Sequence, residues 1–114
     1  MSASEERIAR NEALFREFNE RVETMAETFD LRSEGDSLRI GFVCECGNLD
    51  CLERLDLTRA AYEEVRSHPR RFVVVPGHED MSIARLVAEG EGYLVVEKLE
   101  EAADVAVEHD PRSA

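Results

Sequence analysis

All three cysteines of the chain lie within eight positions, in the segment VCECGNLDC that runs from Val43 to Cys51. Three cysteines cannot complete a set of intrachain disulfides, and their close spacing indicates a metal site instead. Structural zinc sites are usually tetrahedral, and Cys3His is one of their recurring ligand sets. Gly47 permits the tight turn that two sulfur ligands from one loop require. The sequence therefore predicts that Cys44, Cys46 and Cys51 bind Zn2+ together with a fourth ligand from another segment.

The candidates for the fourth ligand are the three histidines of the chain and Asp50. His68 and His109 are expected at the ends of helices, where a histidine is commonly a surface residue. His78 differs from them, because it follows a predicted strand and a Pro-Gly turn that would hold it rigidly at the end of a sheet. We therefore predict His78 as the fourth ligand, with Glu79 as the partner that orients its ring.

Two other interpretations of the cysteines are open. The C-x-C pair could form a strained disulfide on oxidation and release zinc, which would make the loop a redox sensor. The cysteines could also cluster as small apolar residues of the core. The charged neighbours Glu45 and Asp50 disfavour this apolar role.

The first thirty residues predict an amphipathic helix whose apolar side chains follow a seven-residue repeat. The residues of this seam are Ile8, Phe15, Phe18, Val22, Met25 and Phe29, and Asn11 is a polar residue at a seam position. Such a seam is typical of a coiled coil and also of a helix that packs on its own domain. We expect it to contact a protein partner, either a second copy in a homodimer or another chain.

The remaining elements predict one small domain over residues 38–110. Strands are expected at 38–43 and 52–57, as a hairpin around the cysteines, and at 71–75, 83–87 and 92–97, although 83–87 could equally be a helical turn. Helices are expected after Thr58, as an N-cap, and over 99–108. Residues 30–37 are polar and predict a linker.

These elements place the chain in the α+β class. We expect an N-terminal amphipathic helix (residues 1–30), followed by a small, mostly antiparallel sheet with two further helices, stabilised by zinc. The length of 114 residues suits one compact domain of this kind.

Charge and hydropathy limit the possible partners. The chain has 26 acidic and 14 basic residues, with a formal net charge of -12, which disfavours nucleic acid. No apolar run approaches the roughly 20 residues that span a bilayer. The first ten residues lack the apolar region of a signal peptide, so we expect no membrane association and a cytoplasmic location.

The common enzyme motifs are absent from the sequence, including HExxH, the Walker loop and G-x-S-x-G. Four protein ligands would also leave no position for a catalytic water on the metal. We therefore expect a small cytoplasmic protein with a structural zinc site that acts as a protein-interaction or regulatory module. The alternatives are a zinc-thiolate redox sensor and a small metal-dependent enzyme.

Four segments, RNEALFREFNERVE, CECGNLDC, LTRAAYEEVRSHPRRFVVVPGHE and YLVVEKLEEAADVA, together cover most of the chain. In this combination the sequence resembles a group of small uncharacterised bacterial proteins. The resemblance implies that the CECG-x3-C loop and the downstream PGHE turn belong together. It implies no activity and no catalytic residues.

Overall fold

The computed structural model describes residues 1–30 and 39–112 of the chain. In chain order the elements are α1 (Ala3–Asp30), β1 (Arg39–Val43), β2 (Arg54–Thr58), α2 (Arg59–Arg66), β3 (Arg71–Val74), β4 (Ala84–Gly90), β5 (Tyr93–Lys98) and α3 (Glu100–Glu108). The predicted α+β class and its three helices are confirmed. Of the predicted linker, residues 31–37 lie outside the described part of the chain. No helix among the described residues is long and apolar enough to cross a membrane.

The strands form two antiparallel sheets, so the prediction of one sheet was wrong. β1 and β2 form the expected hairpin, and β3, β5 and β4 form a separate sheet in that order. The alternation of apolar and polar residues identifies strands and their faces, but it does not determine which strands pair. Residues 83–87 belong mainly to strand β4 rather than to a helical turn, because β4 pairs along its length with β5.

The main core lies between the hairpin, α2 and the second sheet. Its buried side chains are Ile40, Phe42, Leu55, Leu57, Tyr62, Val65, Val73 and Val95. The rings of Phe42 and Tyr62 stack with their centres 4.2 Å apart. Thr58 is the N-cap of α2, as predicted, and its hydroxyl accepts a hydrogen bond from Ala61 N at 3.1 Å. The core therefore joins both sheets to α2.

Helix α1 packs on this domain with a polar face, against α3 and β1. The buried residues of α1 are Ala9, Glu12, Ala13, Arg16, Asn19 and Glu23. Among the predicted seam residues, Ile8, Phe15 and Val22 are half-buried, Phe18 and Met25 are exposed, and the side chain of Phe29 lies outside the described part. The seam therefore divides between a side facing the domain and a side facing solvent.

The charged groups under α1 have partners in the domain. Arg16 donates hydrogen bonds to Pro69 O at 2.7 Å and to Ala106 O at 2.6 Å. Its guanidinium lies 4.5 Å from the centre of the Phe72 ring. Burial raises the pKa of Glu12 to about 7, although the ammonium of Lys98 beside it acts in the opposite direction. Partners of this kind offset much of the cost of burying charge.

Glu45 is fully buried between two of the cysteines, and its carboxylate accepts three hydrogen bonds. Oε2 accepts from Asn19 Nδ2 and from the Tyr62 hydroxyl, both at 2.8 Å, and Oε1 accepts from Val73 N at 3.0 Å. The donors come from α1, α2 and β3. Glu45 N also donates to Val73 O at 2.9 Å, which links the end of the hairpin to the second sheet. Glu45 thus positions the cysteine loop against three elements.

We expect the substitution Glu45→Gln to lower the free energy of unfolding by about 1–3 kcal/mol, because a buried donor would lose its acceptor. The amide keeps the shape of the carboxylate but replaces one acceptor oxygen with an NH2 group, which must face at least one of the three donors. Urea denaturation of the protein measures the effect.

The matched control is Glu64→Gln on the exposed side of α2, which should change stability by less than about 0.5 kcal/mol. Equal free energies of unfolding for the two variants would show that the three hydrogen bonds of the Glu45 carboxylate do not contribute to stability.

Candidate metal centre

The loop between β1 and β2 carries the three cysteines and is shaped by its own hydrogen bonds. Cys44 N donates to Glu53 O at 3.2 Å, which continues the hairpin beyond its strands. Cys51 N donates to Asn48 O at 3.0 Å, and Asp50 N donates to the side-chain oxygen of Asn48 at 2.9 Å. The second half of the loop is therefore a tight turn that brings Cys51 back toward the first two cysteines.

Gly47 stands where the loop touches α1. Its φ is +80°, and a Cβ atom at this position would lie 2.7 Å from Ile8 O and 2.8 Å from Glu12 Cγ. Only glycine meets both conditions without strain. Asn11, the polar residue of the predicted seam, donates to Gly47 O at 3.1 Å. The helix therefore holds the cysteine loop in place.

The structure brings together the four predicted ligands. One ligand atom each from Cys44, Cys46, Cys51 and His78 lies within 4.8 Å of all the others. His78 Nδ1 is 3.7 Å from Cys44 Sγ and 3.5 Å from Cys51 Sγ. In a tetrahedral zinc site, bonds of about 2.3 Å to sulfur and about 2.0 Å to nitrogen place the two ligand atoms about 3.5 Å apart. The four residues are therefore a Cys3His group positioned to bind a metal ion.

His78 reaches the cysteines from the turn that follows β3. His78 N donates to Val75 O at 2.9 Å, and Gly77 supports this turn with a φ of +96°. This is the turn that the Pro-Gly sequence before His78 predicts. His68 and His109 are outside the group of possible ligands in the described part of the chain, and they lie just beyond α2 and at the C-cap of α3.

The outer nitrogen of the His78 ring contacts a carboxylate that was not predicted from the sequence. His78 Nε2 lies 2.8 Å from Glu53 Oε2. Since Nδ1 faces the sulfurs, we assign the ring proton to Nε2, which then donates to Glu53. Glu79, predicted for this role, instead accepts a hydrogen bond from Gly77 N at 2.6 Å. Glu53 follows Cys51 by only two positions, and this proximity to a predicted ligand was the one sequence feature that could have identified it as the ring partner.

The surroundings of the sulfurs favour a bound cation. Burial raises the pKa values of the Cys44 and Cys46 thiols above the ordinary range. Two backbone groups act against this effect: Val75 N lies 3.2 Å from Cys44 Sγ, and a backbone hydrogen bond from Asn48 lowers the pKa of Cys46. Amide donors of this kind stabilise thiolates, and a bound metal ion would supply the remaining positive charge.

Comparisons of this chain with protein-family models, with curated proteins and with solved structures gave no match.

The contact between Glu53 and His78 predicts that Glu53 and Glu79 contribute differently to zinc affinity. Glu53→Gln should weaken zinc binding by at least about tenfold, because the neutral amide makes the His78 ring a poorer ligand. Competition with a chromophoric zinc chelator measures the dissociation constant.

Glu79→Gln is the matched control. Its amide oxygen can still accept from Gly77 N, so its zinc affinity should stay close to that of the unchanged protein. A weaker affinity in Glu79→Gln than in Glu53→Gln would reverse the assignment of the ring partner.

Proposed function

We propose that this chain is a small zinc protein in which Cys44, Cys46, Cys51 and His78 hold a structural Zn2+, and that it acts as a protein-interaction or regulatory module. The observation that carries the zinc assignment is the convergence of three sulfurs and one imidazole nitrogen within 4.8 Å. A reducing compartment such as the cytoplasm belongs to the proposal, because the thiols must remain unoxidised to bind the metal.

The donor set favours zinc over other metals. Thiolate ligands select Zn2+, Cu+ and iron-sulfur clusters, whereas Mg2+ and Ca2+ prefer oxygen. An imidazole as the fourth donor suits zinc, and the sulfur-to-nitrogen distances of 3.5 and 3.7 Å match a tetrahedral site of zinc dimensions.

The position of the site favours a structural role. The cysteines belong to the hairpin, and His78 follows β3 of the second sheet, so a metal at this point would tie the two sheets together. Four protein ligands fill a tetrahedral site and leave no place for a catalytic water. The ligands converge only in the folded chain, so the binding free energy of the metal would contribute directly to folding.

The interaction role is supported by exposed apolar residues on α1. The solvent-facing side of the predicted seam carries Phe18 and Met25, and Leu14 lies beside them. Large apolar side chains that share one helix face are typical of a surface that contacts another protein. A protein partner is therefore the proposed ligand of α1.

A zinc-thiolate redox sensor is the second candidate function. It is favoured by Cys51, which is only half-buried and lies close to two other sulfurs. Oxidation of two thiolates to a disulfide by hydrogen peroxide would reduce the peroxide to water and release the metal. Release of zinc by stoichiometric peroxide, with recovery on thiol reduction, would favour this candidate over a purely structural site.

If His78 is the zinc ligand, its substitution should lower the zinc content of the protein, and substitution of either of the other two histidines should not. Protein purified under reducing conditions should contain about one zinc per chain. His78→Ala should lose most of its zinc, because three ligands remain, whereas His68→Ala and His109→Ala should retain theirs. Elemental analysis gives the metal content of each variant.

Removal of the metal should also lower the stability of the protein. A strong chelator should reduce the melting temperature by on the order of 10 °C or more, because several kcal/mol of binding free energy would be lost. Equal zinc contents in all three histidine variants, or a melting temperature unaffected by chelation, would contradict the structural site.

A further inference from the structure

Three large apolar side chains form a line along the outer side of α1. Leu14 is 57% exposed, Phe18 is 47% exposed and Met25 is 63% exposed. They lie within roughly 40° of one another around a helix of 3.6 residues per turn. Leu14 and Phe18, together with Phe15 and Val43, border an apolar groove of about 330 Å3 between α1 and the end of β1. We call this line of three residues the outer stripe.

The charges beside the outer stripe are balanced, unlike those of the whole chain. Arg21 Nη2 lies 3.4 Å from Glu17 Oε1, and Arg10 Nη2 lies 3.2 Å from Glu6 Oε1. Arg7 adds a further positive charge on the same exposed part of the helix. Because the chain carries a net charge of -12, two copies repel each other overall. The outer stripe is a face on which two copies can meet without acidic groups opposing each other.

We propose that a second copy of this chain occupies the outer stripe, with the two α1 helices antiparallel about a two-fold axis at the level of residue 19. This proposal rests on the interaction role proposed above and names its partner, and it does not depend on the metal. A two-fold axis uses the same surface twice, so the surface must be complementary to itself.

The outer stripe meets that condition in the antiparallel arrangement. Leu14 lies at the level of residue 24 of the second copy, next to Met25, and the two Phe18 side chains meet near the axis. Glu17 and Arg21 lie on the same flank of the stripe, and the two-fold axis places each Glu17 opposite Arg21 of the other copy. The ion pair within one helix is thereby extended by two pairs between helices.

The length of the helix is sufficient for this contact. α1 runs over 28 residues from Ala3 to Asp30, which corresponds to about 42 Å. The outer stripe occupies its middle and lies on a different side from the buried residues Glu12, Arg16 and Glu23. A second helix can therefore approach while α1 keeps its contacts with its own domain.

Sedimentation equilibrium of the zinc-loaded full chain tests the proposal, with an expected mass of twice 12.9 kDa. Phe18→Glu should convert the protein to a monomer and leave its helical content and zinc content unchanged. Leu86→Glu is the matched control, since Leu86 is a comparably exposed (42%) apolar side chain that lies on strand β4 rather than on α1. This control should remain a dimer.

A charge reversal tests the register of the two helices. Glu17→Arg alone and Arg21→Glu alone should each weaken dimerisation by at least about tenfold, since like charges then face each other. The double variant Glu17→Arg/Arg21→Glu should restore the affinity. If Phe18→Glu dissociates the dimer but the double variant is as weak as the single ones, the antiparallel register is overturned.

The outcomes separate this proposal from the zinc proposal. A zinc-loaded protein that stays monomeric at about 100 µM overturns self-association and leaves the metal site standing. A dimer that contains no zinc and dissociates on Phe18→Glu supports the helix pairing and overturns the metal site.

Discussion

The cysteine loop depends on one buried carboxylate. Glu45 stands between two predicted ligands, and its oxygens accept hydrogen bonds from Asn19 of α1, Tyr62 of α2 and Val73 of β3. A carboxylate without such donors would be costly to bury, and burial does raise the pKa of Glu45. With these donors in place, the loop has a defined position relative to β3, after which His78 follows. The polar contacts of Glu45 therefore help to place the cysteine loop near the turn of His78, where the four candidate ligands converge.

Helix α1 is part of the support of this loop. Asn11 and Asn19 bind its backbone, and Gly47 allows the helix to lie directly against it. Because α1 docks on its own domain largely through polar residues, its large apolar residues Leu14, Phe18 and Met25 are left on the opposite side. The orientation in which α1 contacts the cysteine loop therefore also leaves the outer stripe exposed to a partner.

The site was largely predictable from the sequence, because its signals are local. The spacing of the cysteines and the Pro-Gly turn before His78 identified the four residues that the structure brings together. Strand β2 and the N-cap Thr58 were likewise predictable from alternation and from local hydrogen bonding. These features depend on neighbours within a few positions of each other in the chain.

The polar interior was not predictable in the same way. Glu12, Arg16 and Glu45 would ordinarily lie at the surface, and only their tertiary partners make their burial favourable. α1 packs Glu12 and Arg16 against the domain together with apolar residues of its seam such as Val22, so the heptad pattern alone did not identify the docked side. The division of the strands into two sheets and the contact of Glu53 with His78 also depend on long-range pairing.

The central claim is that three cysteines and His78 bind one zinc ion, and X-ray absorption at the zinc edge tests it most directly. The account predicts a first coordination shell of three sulfurs at about 2.3 Å and one nitrogen at about 2.0 Å. His78→Ala should remove the nitrogen contribution without removing the sulfurs from any zinc that is retained. A shell of oxygen donors, or a folded protein that binds no metal and exposes three titratable thiols, would contradict the account.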